Sequence, residues 1–325
     1  MPTPPRGHHS QRRETAPNAE WMNTQELAAQ TFQHGQILLG KEGEKLIGSG
    51  DDRHLLTVAG SRAGKSSTCL KPNLLLWPSS VLCIDPKGEL ARDTAVARKR
   101  MGNDVYILDP FGEVTGDATQ FRARFNPLDE LKAARKEDVI DDAATVADAL
   151  IVPDKGGDQH WSLSGKNLIR GLILKALDDE AHGEGTATLN TVRKMLTLPM
   201  EPTPESRRSL LGEFNEMAGT DAFAGVLAGV GGTMAGKPPN ERGSIISTAV
   251  EQTAFLDSDP MQKHLGTETT LPPLPSLRSL KRKPTTIYLV LPASRMATHF
   301  RWFRLILTLA LTALEREKNA LPPLG

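Results

Sequence analysis

Ten consecutive residues, VAGSRAGKSS (Val58 to Ser67), carry the clearest chemistry in this sequence. A glycine, four residues of any type and then Gly-Lys-Ser or Gly-Lys-Thr form a loop whose backbone N–H groups cradle phosphates. Gly64, Lys65 and Ser66 stand in their places, but the first position falls on Ala59 and Gly60 comes one residue late. In such a loop the N–H groups of Ser61, Arg62, Ala63, Gly64, Lys65 and Ser66 turn inward around a phosphate, with Ser67 following. The positive end of the next helix adds to the attraction. Lys65 is placed to reach the terminal phosphates, and the Ser66 hydroxyl to ligate Mg²⁺. Ala59 is tolerable where the turn needs no positive φ, and Gly60 can absorb strain.

Hydrolysis of a bound nucleotide needs carboxylates as well, one for the metal's water shell and one to orient the attacking water. Asp85 ends the apolar run VLCID and is the first candidate, with Glu89 beside it. Asp85, Lys87 and Glu89 fit a site rim or subunit interface equally well. Asp109 reads as a strand-end turn residue, and His160-Trp161 as a helix-start pair packed on the sheet. Cys69 and Cys83 read as core residues.

The elements around these residues alternate. HLLTVA (His54 to Ala59) is expected as a buried strand feeding the loop, followed by a helix from Lys65 to Leu76 that Trp77-Pro78 stops. VLCID and DVYILD are further strands, separated by the helical LARDTAVARKRMG, and they end in near-repeats, DPKGE and DPFGE. This order predicts a parallel sheet with right-handed crossovers. From about Leu128 to Asp259 the periodicity is helical, with Gly225–Gly243 a loop or broken helix. Strand character returns in TTIYLVLP, before the helix HFRWFRLILTLALTALEREK.

The chain has 325 residues, with Lys plus Arg equal to Asp plus Glu at 39 each, which excludes a globally basic nucleic-acid binder but not a local basic channel. Two cysteines fit a reduced compartment. No apolar run approaches the roughly 18 residues of a membrane span, and the N-terminus is a polar, proline-containing tail without a secretory core. ARKR (Ala97 to Arg100) reads as a solvated helix end. LKRKP (Leu280 to Pro284) could line a DNA path through phosphate contacts, without aromatic interleaving for bases.

Taken together, GQILLG, GSRAGKSS, WPSSVLCIDPKGEL, VYILDPFG, FNPLDEL, HWSLSGKNLIRGLI and IYLVLP resemble the coupling proteins of type IV secretion, the ATPases of conjugative DNA transfer. The resemblance runs from about Gln36 to Pro323. It implies an α/β fold, a RecA-like P-loop domain interrupted by an all-helical insertion. The expected layout is a polar tail over 1–28, the nucleotide domain over 29–130, the insertion over 131–265 and a return over 266–325. It further implies ATP and Mg²⁺ as cofactors, and a homo-hexamer moving single-stranded DNA with its relaxase into type IV secretion channel proteins. Placement would be peripheral, on the cytoplasmic face of the inner membrane. Family members usually begin with transmembrane helices, and continue past the returning strand to an apolar strand ending Asp-Glu; this sequence stops at LPPLG. The expectation is therefore a fragment that binds ATP with hydrolysis impaired. Two other readings are a double-stranded DNA translocase of the chromosome-segregation type, whose winged-helix tail is not seen here, and a non-hydrolysing adaptor that docks a secretion substrate.

Overall fold

The computed structural model describes residues 22–51, 53–153, 159–267 and 269–318; the expected tail lies almost wholly outside them. A short helix α1 (Thr24–Ala29), its N-terminus capped by Asn23, leads into the antiparallel hairpin β1 (Ile37–Glu42) and β2 (Lys45–Ser49). The phosphate-loop segment follows, then a π-helical stretch Lys65–Leu70 that runs into α2 (Lys71–Leu76). Next come β3 (Val81–Ile84), α3 (Glu89–Arg100) and β4 (Asp104–Leu108). Helices occupy the middle of the chain: α4 (Pro127–Lys132), α5 (Val139–Leu150), α6 (Gln159–Ala181), α7 (Leu189–Leu196), α8 (Leu210–Ala218), α9 (Val226–Gly236), α10 (Pro239–Gln252) and α11 (Asp259–Leu265). The chain closes with α12 (Ser279–Arg282), β5 (Thr285–Leu289) and α13 (Met296–Arg316).

The main sheet is parallel, in the order β3-β5-β4, so β5 enters between two strands that precede it by more than 170 residues. All five of its residues are buried, as a central strand covered on both faces requires. One face carries Val105, Ile107 and Tyr288, packed against Leu90, Ala91 and Ala95 of α3. The other carries Ile287, Leu289 and Leu291, and these belong to the same continuous core as the helices α5 to α11 and α13. The helical region is thus packed onto the sheet through one shared core. The glycine-rich stretch proves to be a helix broken at Lys237-Pro238, between α9 and α10.

Two expectations fail here. His54–Ala59 forms no strand: Leu56 is 88% and Val58 83% exposed. Its apolar run has the composition of a buried strand, but among the described residues no strand lies on the outer edge of β3 to supply a ladder, and composition alone cannot satisfy backbone N–H and C=O groups. The second correction concerns one residue of ARKR: Lys99 and Arg100 are exposed as expected, but Arg98 is not. Arg98 is fully buried, because Leu90, Ala91, Thr94, Ala95 and Arg98 share the inward face of α3.

Among the described residues the Arg98 guanidinium has no carboxylate partner and is satisfied by neutral oxygens. It donates to the carbonyls of Leu74 (3.2 Å), Trp77 and Ser79, to Asn103 Oδ1 (2.8 Å) and to Thr286 Oγ1 (2.9 Å). Desolvation pulls its proton affinity below the usual arginine value, and the fan of acceptors holds the charge in place. Arg98→Met should cost about 3–5 kcal/mol, because several buried acceptors lose their donor at once; urea unfolding of the variant against the parent measures it.

His264 is buried on α11 with its ring 5.5 Å from that of Trp302, and neither ring nitrogen has a partner among the described residues. Burial first, and the Arg122 charge second, push its pKa down to about 3 from 6.5. The folded state therefore refuses a proton that the unfolded chain accepts, so stability declines as pH falls below the unfolded value. Urea midpoints should show this group removing up to about 1.4 kcal/mol per pH unit between about pH 6.5 and pH 3, and His264→Leu should flatten that slope.

Candidate nucleotide-binding site

The loop Gly60–Ser67 is largely exposed and runs into the π-helical stretch that begins at Lys65. Gly64 takes φ +84° and Arg62 φ +62°, while Ala59 is not among the positive-φ residues, which is why alanine serves at the first position. Thr68 N–H and both the Ser67 and Thr68 hydroxyls donate to the Gly64 carbonyl, at 2.8, 3.0 and 2.9 Å, closing the turn on its helix side. The Lys65 ammonium folds back across the loop and donates to the carbonyls of Ala59 (2.7 Å) and Gly60 (2.8 Å). Those contacts are replaceable by phosphate oxygens with little movement of the backbone. The Ser66 hydroxyl is exposed and has no protein partner among the described residues, so it is free for a metal ion. A π-helical turn in this position leaves the first N–H groups outside the usual helical ladder.

Asn73 is the residue that the sequence did not single out. Its side-chain amide pairs with the backbone of β1 in both directions: Leu38 N–H donates to Oδ1 (2.7 Å), and Nδ2 donates to the Leu38 carbonyl (2.9 Å) and the Cys69 carbonyl (2.8 Å). The β1–β2 hairpin is thereby fastened to the helix that carries the loop. The one available signal was a polar residue inside the apolar KPNLLL run.

The two acidic strand ends are committed elsewhere. Asp85 is buried and accepts the Ala91 N–H at 2.8 Å, holding the first turn of α3; burial raises its pKa, with the backbone N–H groups of Ala91, Leu90 and Glu89 acting in opposition. Asp109 collects the N–H groups of Gly112 (2.9 Å), Glu113 (3.0 Å) and Val114 (2.9 Å), and Arg122 donates to its backbone carbonyl. The near-repeats thus build two Asp-capped turns, each with its glycine at positive φ, Gly88 at +66° and Gly112 at +76°. They also pack together, since a Cβ on Gly88 would lie 2.9 Å from Val114 Cγ2. Glu89 stands in the first turn of α3, next to Asp85.

The remaining candidates are dispersed. His160 and Trp161 begin α6 with their rings 5.0 Å apart; His160 approaches Glu241 of α10 at 3.8 Å, so the pair packs beside α10 rather than on the sheet. Cys83 lines the α3 side of the sheet, where burial raises its thiol to about 12, and Cys69 is half-buried on the loop helix. LKRKP lies ahead of β5, at the edge opposite the carboxyl ends of the strands. Lys283 pairs with Asp104, and Arg282 with Glu317 at 2.6 Å, so part of their charge is balanced within the fold while both side chains stay about half exposed. Among the described residues no group of three His, Cys, Asp or Glu side chains could hold a metal, so Mg²⁺ would rest on Ser66 and on the phosphates themselves.

The family described as "Type IV secretory system Conjugative DNA transfer" matches residues 11–324. "Conjugal transfer protein TraG" of Escherichia coli is 33% identical over 210 residues, covering 64% of this chain and 31% of the relative. "Type IV secretion system-coupling protein VirD4" of Bartonella quintana (strain Toulouse) is 28% identical over 260 residues, covering 64% of this chain and 39% of the relative. The chain therefore spans about a third of the length of the curated relatives it matches. Among solved structures, the unbound monoclinic form of the bacterial conjugative coupling protein TrwBdeltaN70 superimposes with a TM-score of 0.56 at 17% identity, over 92% of this chain and 58% of that one. The plasmid coupling protein TrwB in complex with the non-hydrolysable GTP analogue GDPNP gives 0.50 at 15% identity, over 82% and 52%. These likenesses place the fold in the RecA-like, parallel-sheet α/β class.

Asn73→Ala should release the hairpin from the loop helix. The expected outcome is a loss of about 1–3 kcal/mol in unfolding free energy, together with faster hydrogen exchange at the Leu38 amide.

Proposed function

The chain belongs to the type IV secretory system conjugative DNA transfer family, and we propose that it is the nucleotide-binding part of a coupling protein that drives DNA export. The observation that carries this reading is the loop itself: Gly64 at positive φ, the Lys65 ammonium lying across the mouth, and the unpartnered Ser66 hydroxyl at the start of the helix. ATP would place its phosphates where Lys65 now holds the Ala59 and Gly60 carbonyls. Ser61, Arg62, Ala63 and Ser67 frame the cradle. Mg²⁺ bound there would neutralise phosphate charge. Asp85, just after β3, and Glu89, in the first turn of α3, are the candidate carboxylates for a metal's water shell, and Asp85 would act there only by giving up its turn.

In the assembled system the partners would be a relaxase bound to single-stranded DNA and the channel proteins of type IV secretion, with a homo-hexamer as the working unit. The site would stand at the cytoplasmic face of the inner membrane. No described helix is long and apolar enough to cross a membrane.

Both acidic strand ends are occupied with backbone N–H groups, so the 325-residue chain should bind ATP with Mg²⁺ but turn it over slowly. Titration with a fluorescent ATP analogue tests the reading. Lys65→Ala, a change to a side chain that holds only two loop carbonyls, should weaken binding at least about tenfold with thermal unfolding unchanged, a loss of some 1.4 kcal/mol or more. Equal affinity in parent and variant would remove the nucleotide site and leave the docking adaptor. Rapid steady turnover abolished by the same variant would overturn the claim of slow hydrolysis.

A further inference from the structure

Within the described helical region and α13, two large apolar side chains stand in solvent: Leu163 of α6, 63% exposed, and Leu311 of α13, 68% exposed. They flank one cleft. A space of about 500 Å³ opens between α5, α6 and α13, with Leu163 on one wall and Thr308 on the other. Leu311 lies three residues beyond Thr308, on the same helix face. Ala144 and Thr145 make a floor of small side chains, which leaves room for a ridge from another helix to settle.

The charges in the cleft are unbalanced. Lys166 and Arg304 (3.1 Å) both pair with a single carboxylate, Asp148. Arg170 donates to Asn167 Oδ1 at 2.6 Å, and among the described residues it has no carboxylate within ion-pair reach and its buried Nε has no partner. Among the described residues two cations, Lys166 and Arg170, line the cleft against one anion, Asp148, and Arg304 reaches Asp148 from α13, so this face is electropositive, with Leu163 in its wall. No aromatic side chain lines it, so bases would find nothing to stack on, whereas exposed leucines suit an apolar helix face.

We propose that this cleft docks an acidic amphipathic helix from a protein partner. Its apolar residues would pack between Leu163 and Leu311. Its carboxylates would take the open Arg170 and share Lys166 and Arg304 with Asp148. Neither the loop nor a bound nucleotide enters this contact, so it stands or falls separately from the reading above.

The test uses the whole 325-residue chain and a fluorescein-labelled helical peptide of about 18 residues, with leucines at positions i, i+3/4 and i+7 and glutamates beside them. Fluorescence anisotropy should show saturable binding that weakens with salt. Leu163→Glu and Arg170→Glu should each weaken it at least about tenfold, with circular dichroism unchanged, while Lys65→Ala leaves it intact. A peptide with lysines in place of the glutamates should not bind. Absence of binding, or binding indifferent to both cleft variants, would overturn the proposal. So would a mixed-sequence single-stranded oligonucleotide that displaces the peptide and loses its own binding in the same variants, which would assign the cleft to nucleic acid.

Discussion

The buried Arg98 guanidinium is the constraint around which the sheet is organised. It reaches from α3 to the end of α2, the turn before β3, the start of β4 and the side of β5, and it does so with neutral oxygens only. A cation in such a place is tolerable only if every donor finds an acceptor at once. The arrangement exists only when β5 has entered between β3 and β4, bringing Thr286 beside Asn103 across 183 positions of sequence. Closing so long a connection costs entropy, which the shared core of helices and sheet offsets. Correct threading of the last strand and burial of this charge are therefore one event.

The same economy of polar groups shapes the site. Asp85 and Asp109, at equivalent strand ends, spend their oxygens on backbone N–H groups and so fix two mutually packed turns. Lys65 and Ser66, by contrast, make contacts that are few and local. The loop is held from behind, through Gly64 and the Asn73 amide, and is open in front.

What could be read from residues alone follows from which forces are local. The strands β3, β4 and β5 show as apolar runs bounded by polar turns, and Trp77-Pro78 ends its helix because proline blocks the ladder wherever it stands. Gly64 at the loop declares itself, since only certain residues take that φ cheaply. The failures were all non-local. His54–Ala59 looks like a strand because side chains say nothing about whether a neighbouring strand exists. ARKR looks solvated because a lone arginine gives no sign of five oxygens waiting from distant segments. The pairing of two LKRKP cations with Asp104 and Glu317 is likewise invisible from spacing. Asn73 was hidden because its partner is a backbone, which has no sequence.

Among the described residues the outer edge of β3 is unpaired and the apolar stretch in front of the loop is bare, which has a consequence for this 325-residue chain as a material. A strand edge with open hydrogen-bonding groups is a template for pairing between molecules, and exposed Leu56 and Val58 add apolar surface. With zero net charge near neutral pH, no long-range repulsion keeps two such edges apart. Self-association at high concentration is thus expected to depend on whatever covers Leu56 and Val58, which directly precede the phosphate loop in the chain.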